Sequence, residues 1–312
     1  MTAFLFPGQG SQSVGMGYEL YEQYDVARAR FEMANEILED VDLLTLMFGL
    51  ESSIDDPEEA LKQTEVTQPA LYTHSLAAMA VLEAKGVEPD MVAGHSLGEY
   101  SALAAAGALS FEDGLRVVRR RGELMSEAGD RRPGSMAAVL GGDIAEIEEV
   151  CEEISAEGDG VVQPANYNAP GQIVISGDVE AVERATGAIS GRAMPLPVSG
   201  AFHSPLMEYA REGLAEVLDA VPIQMPQCPV YPNVTAEPTT DPDEIRRQLN
   251  EQLLSPVRWA PTLQRMHEDG ASQFVEVGAG QVLQGLVGRT LGDDVEAMGA
   301  GTPDEIAALT GR

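Results

Sequence analysis

The pentapeptide Gly94-His95-Ser96-Leu97-Gly98 constrains this chain more than any other stretch. Before it runs Asp90-Met91-Val92-Ala93, short and apolar, which reads as the end of a buried strand. After it, Glu99-Tyr100-Ser101-Ala102-Leu103-Ala104-Ala105-Ala106 is rich in helix formers. A strand that becomes a helix through Gly-x-Ser-x-Gly is a sharp elbow, with glycines where backbone and helix approach too closely for Cβ atoms. The elbow lifts the Ser96 hydroxyl above the sheet. It also aims the first amides of the helix, beginning with Leu97 N–H, at the same spot, where they can hold an oxyanion. Strand, elbow and helix predict an α/β fold with Ser96 as nucleophile. The plainer alternative is Ser96 as a helix cap.

A chain of 312 residues suits a large domain carrying a smaller insert. The net charge of −32, from 51 acidic against 19 basic residues, argues against a nucleic-acid partner, which needs a basic face. Only Lys62 and Lys85 are lysines, and the acidic residues are spread along the chain. This composition resembles that of salt-adapted, halophilic proteins. Two cysteines, Cys151 and Cys228, make no disulfide framework and fit a reducing cytosol. The N-terminus has neither a basic region nor a long apolar run, so no leader and no membrane span are expected, and the protein is expected to be cytoplasmic.

Taken in order, Ala3-Phe4-Leu5-Phe6 reads as a buried strand leading into the glycine-rich loop Pro7-Gly8-Gln9-Gly10-Ser11-Gln12. The loop lacks the Gly-Lys-Ser/Thr ending of a P-loop and the spacing of a dinucleotide fingerprint. Its remaining use is to bring backbone amides beside a neighbouring site. Residues 17–50 read as mostly helical, Thr67-Gln68-Pro69 opens a helix over 70–85, and another helix covers 111–128. On that last helix, at about 100° per residue, Arg116, Arg119 and Arg120 share the polar face and look solvated. Arg121 falls inside the apolar arc of Leu115, Val117, Val118, Leu124 and Met125. A buried arginine needs an anionic partner. That partner is either an Asp or Glu of the chain or a carboxylate on a substrate, gripped by the guanidinium fork.

Residues 129–133 break the pattern. Beyond them, strand 135–140, helix 144–155, strands 160–168 and 172–176 around Ala169-Pro170-Gly171, helix 179–190 and strand 192–199 follow the order β-α-β-β-α-β. That is the ferredoxin-like arrangement, and it places an inserted small domain at 131–197 between two parts of the main domain, 1–130 and 198–312. Asn166-Tyr167-Asn168 near its turn either face the cleft or satisfy the loop. Of the four histidines, His74 lies mid-helix and His267 ends a helix beside Glu268 and Asp269. His95 is turned away from Ser96 by strand alternation. His203, on the loop Gly200-Ala201-Phe202-His203-Ser204, is the best general base, against the alternative of a structural loop histidine. A helix over 243–254 carries Gln252 near its end, before Pro256. The last buried strand is expected at 274–278, with a helix over 281–291 after it. No residue group has metal-ligand spacing.

These residues resemble the malonyl-CoA:acyl carrier protein transacylases, acyltransferases of fatty-acid and polyketide synthesis. The likeness is carried by the stretch Phe6 to Gln12, Thr67-Gln68-Pro69-Ala70, Gly94 to Ser101, Arg121-Gly122 and Asn166-Tyr167-Asn168 with Pro170-Gly171-Gln172. Further along it is carried by Pro197-Val198-Ser199 to His203, Pro232-Asn233-Val234 and Val275-Glu276-Val277-Gly278. The resemblance implies an α/β-hydrolase-like core with the ferredoxin-like insert. It implies an acylated Ser96, with His203 as base in a dyad whose imidazole is oriented by a backbone carbonyl near Gln252. Gln9 and Leu97 would give oxyanion amides. Arg121 would hold the malonyl carboxylate, Asn166, Asn233 and Gln252 would lie about the substrate, and Phe202 would set the choice of acyl group. Malonyl-CoA and acyl carrier protein would be the partners, with no permanently bound cofactor and no metal. Three rival readings remain: a serine esterase or thioesterase on the same core, a docking subunit without activity, and a polyketide-pathway acyltransferase.

Overall fold

The computed structural model describes residues 1–50, 56–198 and 200–311. Among them nine strands form two sheets: β1 (Thr2–Phe6), β2 (Met91–Gly94), β3 (Gly134–Leu140), β4 (Val162–Ala169), β5 (Gln172–Asp178), β6 (Arg192–Pro195), β7 (Val230–Tyr231), β8 (Gln273–Glu276) and β9 (Glu296–Gly299). The first sheet is parallel throughout, in the order β7-β2-β1-β8-β9. The second is antiparallel throughout, in the order β4-β5-β3-β6.

The parallel sheet is apolar on both faces because helices cover both. Phe4, Phe6, Val92 and Val275 pack into the larger core with the helix Thr64–Ala84. Ala3, Leu5, Met91 and Phe274 pack on the other side against Trp259, Leu263 and Met266. Alternation along β3 divides the second sheet in the same way. Ala137 and Val139 join a small core under the helices Ile144–Ala156 and Val179–Ala188, while Met136 and Ala138 face the larger core. The cleft between the two sheets is therefore lined by the second sheet's inner face.

Several elements differ from the sequence expectation. The helix expected over 70–85 begins at Thr64 and carries Pro69 in its interior. Proline has no N–H to offer the carbonyl of Glu65 four residues back. Arg119 Nη1 donates to that carbonyl instead, at 2.8 Å, which makes the proline tolerable. The helix expected to end at 128 continues to Arg131, whose guanidinium lies 3.8 Å from the centroid of the Tyr209 ring. The strand expected over 192–199 ends at Pro195, and Ser199 lies outside the described residues. The strand at Gln273–Glu276 is not the last one. Edge strand β9 follows it, half-exposed and without an apolar run, and then the helix Pro303–Thr310. That helix had a readable start, since Thr302 and Glu305 close a capping box around Pro303.

Candidate active site

Strand β2 ends at Gly94, and the pairing continues one step further, with His95 N–H donating to Phe6 O at 3.0 Å. The chain then reverses through Ser96, which has φ +52°, a left-handed conformation that costs a serine energy. The helix Gly98–Ala105 starts at once. A Cβ on Gly94 would lie 1.9 Å from the Gly98 carbonyl, and one on Gly98 would lie 2.0 Å from Phe6 O, so only glycine fits either position. Asn233 holds the strained turn from below. Its Oδ1 accepts from Ser96 N–H at 2.7 Å, and its Nδ2 donates to Gly94 O at 2.7 Å.

Ser96 Oγ lies 2.8 Å from His203 Nε2, and His203 Nδ1 lies 2.9 Å from the main-chain oxygen of Gln252. A carbonyl only accepts, so Nδ1 carries the proton and Nε2 presents its lone pair to the serine hydroxyl. His203 is itself held at φ +57°. Burial pushes its pKa down to about 3, and the nearby Arg121 charge adds to the effect, so the imidazole is neutral at pH 7.

Arg121 is fully buried, 1% exposed. Its Nη1 donates to Gln68 Oε1 at 2.8 Å, and its Nη2 donates to Gln252 Oε1 at 2.9 Å and to Ser96 Oγ at 3.1 Å. Its Nε has no partner among the described residues, and its face lies 5.4 Å from the Tyr100 ring centroid. No carboxylate comes within ion-pair distance among the described residues, and the buried carboxylate nearby, Glu99, reaches the guanidinium only across the Gln252 amide, so no carboxylate of the chain occupies the guanidinium directly.

A cavity of about 170 Å³ opens over Ser96. Leu97, Arg121, His203 and His95 form its floor, Met136, Asn166 and Val174 of the second sheet its roof, and Gln9 and Phe202 its rim. The N–H groups of Gln9 and Leu97 donate to no protein acceptor among the described residues. Gln9 is fixed through its side chain, whose Oε1 accepts from Thr64 Oγ1 at 2.9 Å, and Gln68 Nε2 donates to the same Thr64 oxygen at 3.0 Å.

Three expectations need correction. Asn233 and Gln252 do not line the cavity. Both are fully buried, and their amides are spent on the elbow, on Arg121 and on Glu99. His95 is not turned away, because strand geometry ends at Gly94. Its ring lines the cavity, with Nε2 2.8 Å from Asn168 Oδ1. Of the three arginines expected to be solvated, Arg116 and Arg120 are partly so, but Arg119 is largely covered, its side chain 16% exposed. Arg119 is tied to Asp40 and Glu123, Arg120 to Glu123 and Glu127, and Arg116 lies 3.8 Å from Glu112. Gln68 and Glu99 complete the site without having been singled out as site residues, and Asn168 takes the cleft-facing alternative of the two open to 166–168. For Glu99 a signal existed: a carboxylate among Leu97, Tyr100, Ala102 and Leu103, one residue past the elbow.

A serine on a left-handed elbow above a parallel sheet, bonded to a neutral histidine, defines the class of serine acyl-transferring and hydrolytic sites. Residues 3–305 match the family described as the acyl transferase domain. The malonyl CoA-acyl carrier protein transacylase of Bacillus subtilis is 48% identical over 289 residues, 91% of this chain and 89% of that protein. Among solved structures, the malonyl CoA-acyl carrier protein transacylase of Coxiella burnetii superposes with a TM-score of 0.92 at 40% identity, covering 100% of this chain and 97% of that one. A type II PKS acyl-carrier protein in complex with its malonyl-transacylase gives 0.91 at 40% identity, covering 100% and 99%. The chain belongs to the malonyl CoA-acyl carrier protein transacylase family.

Proposed function

We propose that this chain transfers the malonyl group of malonyl-CoA to the phosphopantetheine thiol of acyl carrier protein, through a malonyl-serine intermediate, in fatty-acid biosynthesis. One observation carries the reading: a buried guanidinium without an ion-pair partner stands 3.1 Å from the nucleophilic oxygen. An acyl group with a free carboxylate at its far end supplies the missing anion, and a neutral acyl group does not.

The placement of the side chains supports the following roles. His203 Nε2 takes the Ser96 proton as Oγ attacks the thioester carbonyl. The N–H groups of Gln9 and Leu97 hold the oxyanion. The tetrahedral intermediate collapses, the CoA sulfur leaves with the proton from His203, and malonyl-Ser96 remains. The carrier thiol then gives its proton to His203 and attacks the ester. Collapse breaks the ester bond, and the proton returns to Ser96 Oγ. Arg121 forks the malonyl carboxylate in both halves, Asn166 faces the acyl group from the roof, and Phe202 limits the space beside it. Met125, Met136 and Val174 line the cavity with apolar surface that keeps out the water that would hydrolyse the ester. Asn233 holds the elbow and the Gln252 carbonyl orients His203.

The same reading assigns 1–130 and 198–312 to an α/β-hydrolase-like catalytic core and 131–197 to a ferredoxin-like insert. The serine elbow on a parallel sheet supports the first assignment. The antiparallel order β4-β5-β3-β6 with two helices on one face supports the second. Free Cys151 and Cys228 fit a reducing compartment, which supports assignment to the cytoplasm.

Intact mass after incubation with malonyl-CoA tests the proposal. We expect one malonyl adduct on Ser96, removed as malonyl-carrier when holo acyl carrier protein is added. An adduct on Cys151 or Cys228, or release only as free malonate, overturns it, the latter in favour of a thioesterase. The solved complex with a type II PKS carrier favours a second reading, a polyketide-pathway acyltransferase. Comparing transfer to a fatty-acid carrier and to a polyketide carrier separates the two.

A further inference from the structure

Glu99, three residues past the nucleophile, is fully buried, 1% exposed. Its Oε2 accepts from Asn233 N–H at 3.0 Å and from Gln252 Nε2 at 2.8 Å. Asn233 bolts the elbow through Ser96 N–H and Gly94 O. Gln252 orients His203 with its main-chain oxygen and accepts from Arg121 Nη2 with its side-chain oxygen. One buried carboxylate thus stands behind the nucleophile, the base and the arginine together.

We propose that Glu99 is a positioning residue for the transfer, an anion that fixes which way the Gln252 amide faces and thereby holds Arg121 at the place where the acyl carboxylate binds. The inference rests on reading Arg121 as the fork for that carboxylate.

The Gln252 amide is used at both ends. Nε2 donates to Glu99 and, at 3.0 Å, to Ser96 O, while Oε1 accepts from Arg121. An ionised carboxylate only accepts, so it holds the NH₂ end towards itself. A neutral acid or an amide in its place brings a donor of its own. It accepts more weakly at Oε2, where both bonds fall, and no longer excludes the turned-over amide, which sets NH₂ against Arg121 Nη2, donor facing donor. The fork loses the anchor that aims it, while the main-chain bond from Gln252 to His203 stays.

The surroundings supply the means for this to respond to pH. Burial raises the Glu99 carboxyl to about 7, against the pull of the Asn233 and Gln252 donors and the Arg121 charge. Arg121 is the charged group facing Glu99 from the helix Phe111–Arg131, and Tyr100 and His203 lie against Arg121 beside it. Strands β1 and β2 bring no titratable side chain. On the helix Thr64–Ala84, Tyr72 is bonded to Phe111 O and His74 to Gly301 O, Glu83 is exposed and Glu65 is half-buried.

The test compares wild type and Glu99→Gln for transfer of malonyl and of acetyl from their CoA thioesters to one carrier, from pH 5.5 to 8.5. The malonyl carboxylate stays ionised across this range, and His203 titrates below it. In wild type, kcat/KM for malonyl relative to acetyl is expected to fall roughly 10-fold as pH drops through about 7. In Glu99→Gln the ratio is expected to start roughly 10-fold lower and to stay flat with pH, the loss of a charge-assisted contact. A variant with the wild-type ratio and pH response overturns the proposal. So does an equal loss for both acyl groups, which marks Glu99 as part of the packing alone. If the variant does not fold, a wild-type ratio flat across the range overturns it. Absence of a malonyl adduct on wild-type Ser96 instead defeats the functional reading beneath.

Discussion

Arg121 donates from Nη2 to Ser96 Oγ at 3.1 Å, on the same oxygen that lies 2.8 Å from His203 Nε2. A buried cation on the nucleophilic oxygen favours its alkoxide form and at the same time depresses the base beside it. The resting histidine is unprotonated and free to take the serine proton, and the cation that weakens it as a base also makes the serine hydroxyl easier to deprotonate. A carboxylate arriving on the substrate partly neutralises that cation, so binding and proton transfer are coupled through one guanidinium.

Ser96→Ala is expected to lower transfer by about 10⁴-fold or more, as loss of a nucleophile does elsewhere. Steady-state transfer to holo carrier protein measures it, with circular dichroism to show that the elbow still folds. Alanine also relaxes nothing at φ +52°, so stability should change little. A variant retaining a tenth of the activity would exclude Ser96 as the nucleophile.

Arg121→Ala should damage malonyl transfer far more than acetyl transfer. A charge-assisted fork to a partly buried carboxylate contributes roughly 1.5–3 kcal/mol, or about 10- to 150-fold in kcat/KM. Acetyl has no carboxylate, so its loss should be small. Equal losses for both substrates would mean that Arg121 serves only to hold Gln68, Gln252 and Ser96 in place.

His203 links the site to acid stability, and the sign can be worked out. Its folded pKa of about 3 lies below the ordinary value of 6.5. Above 6.5 the ring is neutral in both states and has no effect. As pH falls below 6.5 the unfolded chain takes up a proton that the folded chain refuses, so stability is lost down to about pH 3. Between pH 7 and pH 5 the loss amounts to about 2 kcal/mol. His203→Gln removes that term. In urea unfolding at the two pH values, the variant should lose about 2 kcal/mol less than wild type. Parallel losses in the two proteins would show that His203 titrates normally in the fold.

The charge of −32 should make the protein dependent on salt. Arg116, Arg119 and Arg120 already lie against carboxylates, so they offer no free basic surface to offset the excess. Surface carboxylates still repel one another at about 0.1 M salt, where the Debye length is roughly 10 Å, and hardly at 1 M, where it is roughly 3 Å. Melting temperature and transfer rate should both rise from about 0.1 M to multimolar KCl. Flat or falling curves would remove the halophilic reading.

The sequence by itself determined the elbow, most of the order of strands and helices around it, and the run of elements β-α-β-β-α-β, because each is written in local patterns. Glycine spacing specifies a turn that admits no Cβ, apolar runs specify strands covered on both faces, and a helical wheel shows Arg121 on the wrong side for a solvated charge. It did not determine what surrounds that charge. Gln68, Ser96 and Gln252 reach Arg121 from positions 53, 25 and 131 residues away. No local pattern records which polar side chains will meet once the sheets have closed. The same holds for Asn233 and Glu99, 134 residues apart, whose bond turned one expected substrate contact into a bolt beneath the nucleophile. Only the tertiary structure decided this, because a buried polar group must be satisfied by whatever donors and acceptors the packed core brings within about 3 Å.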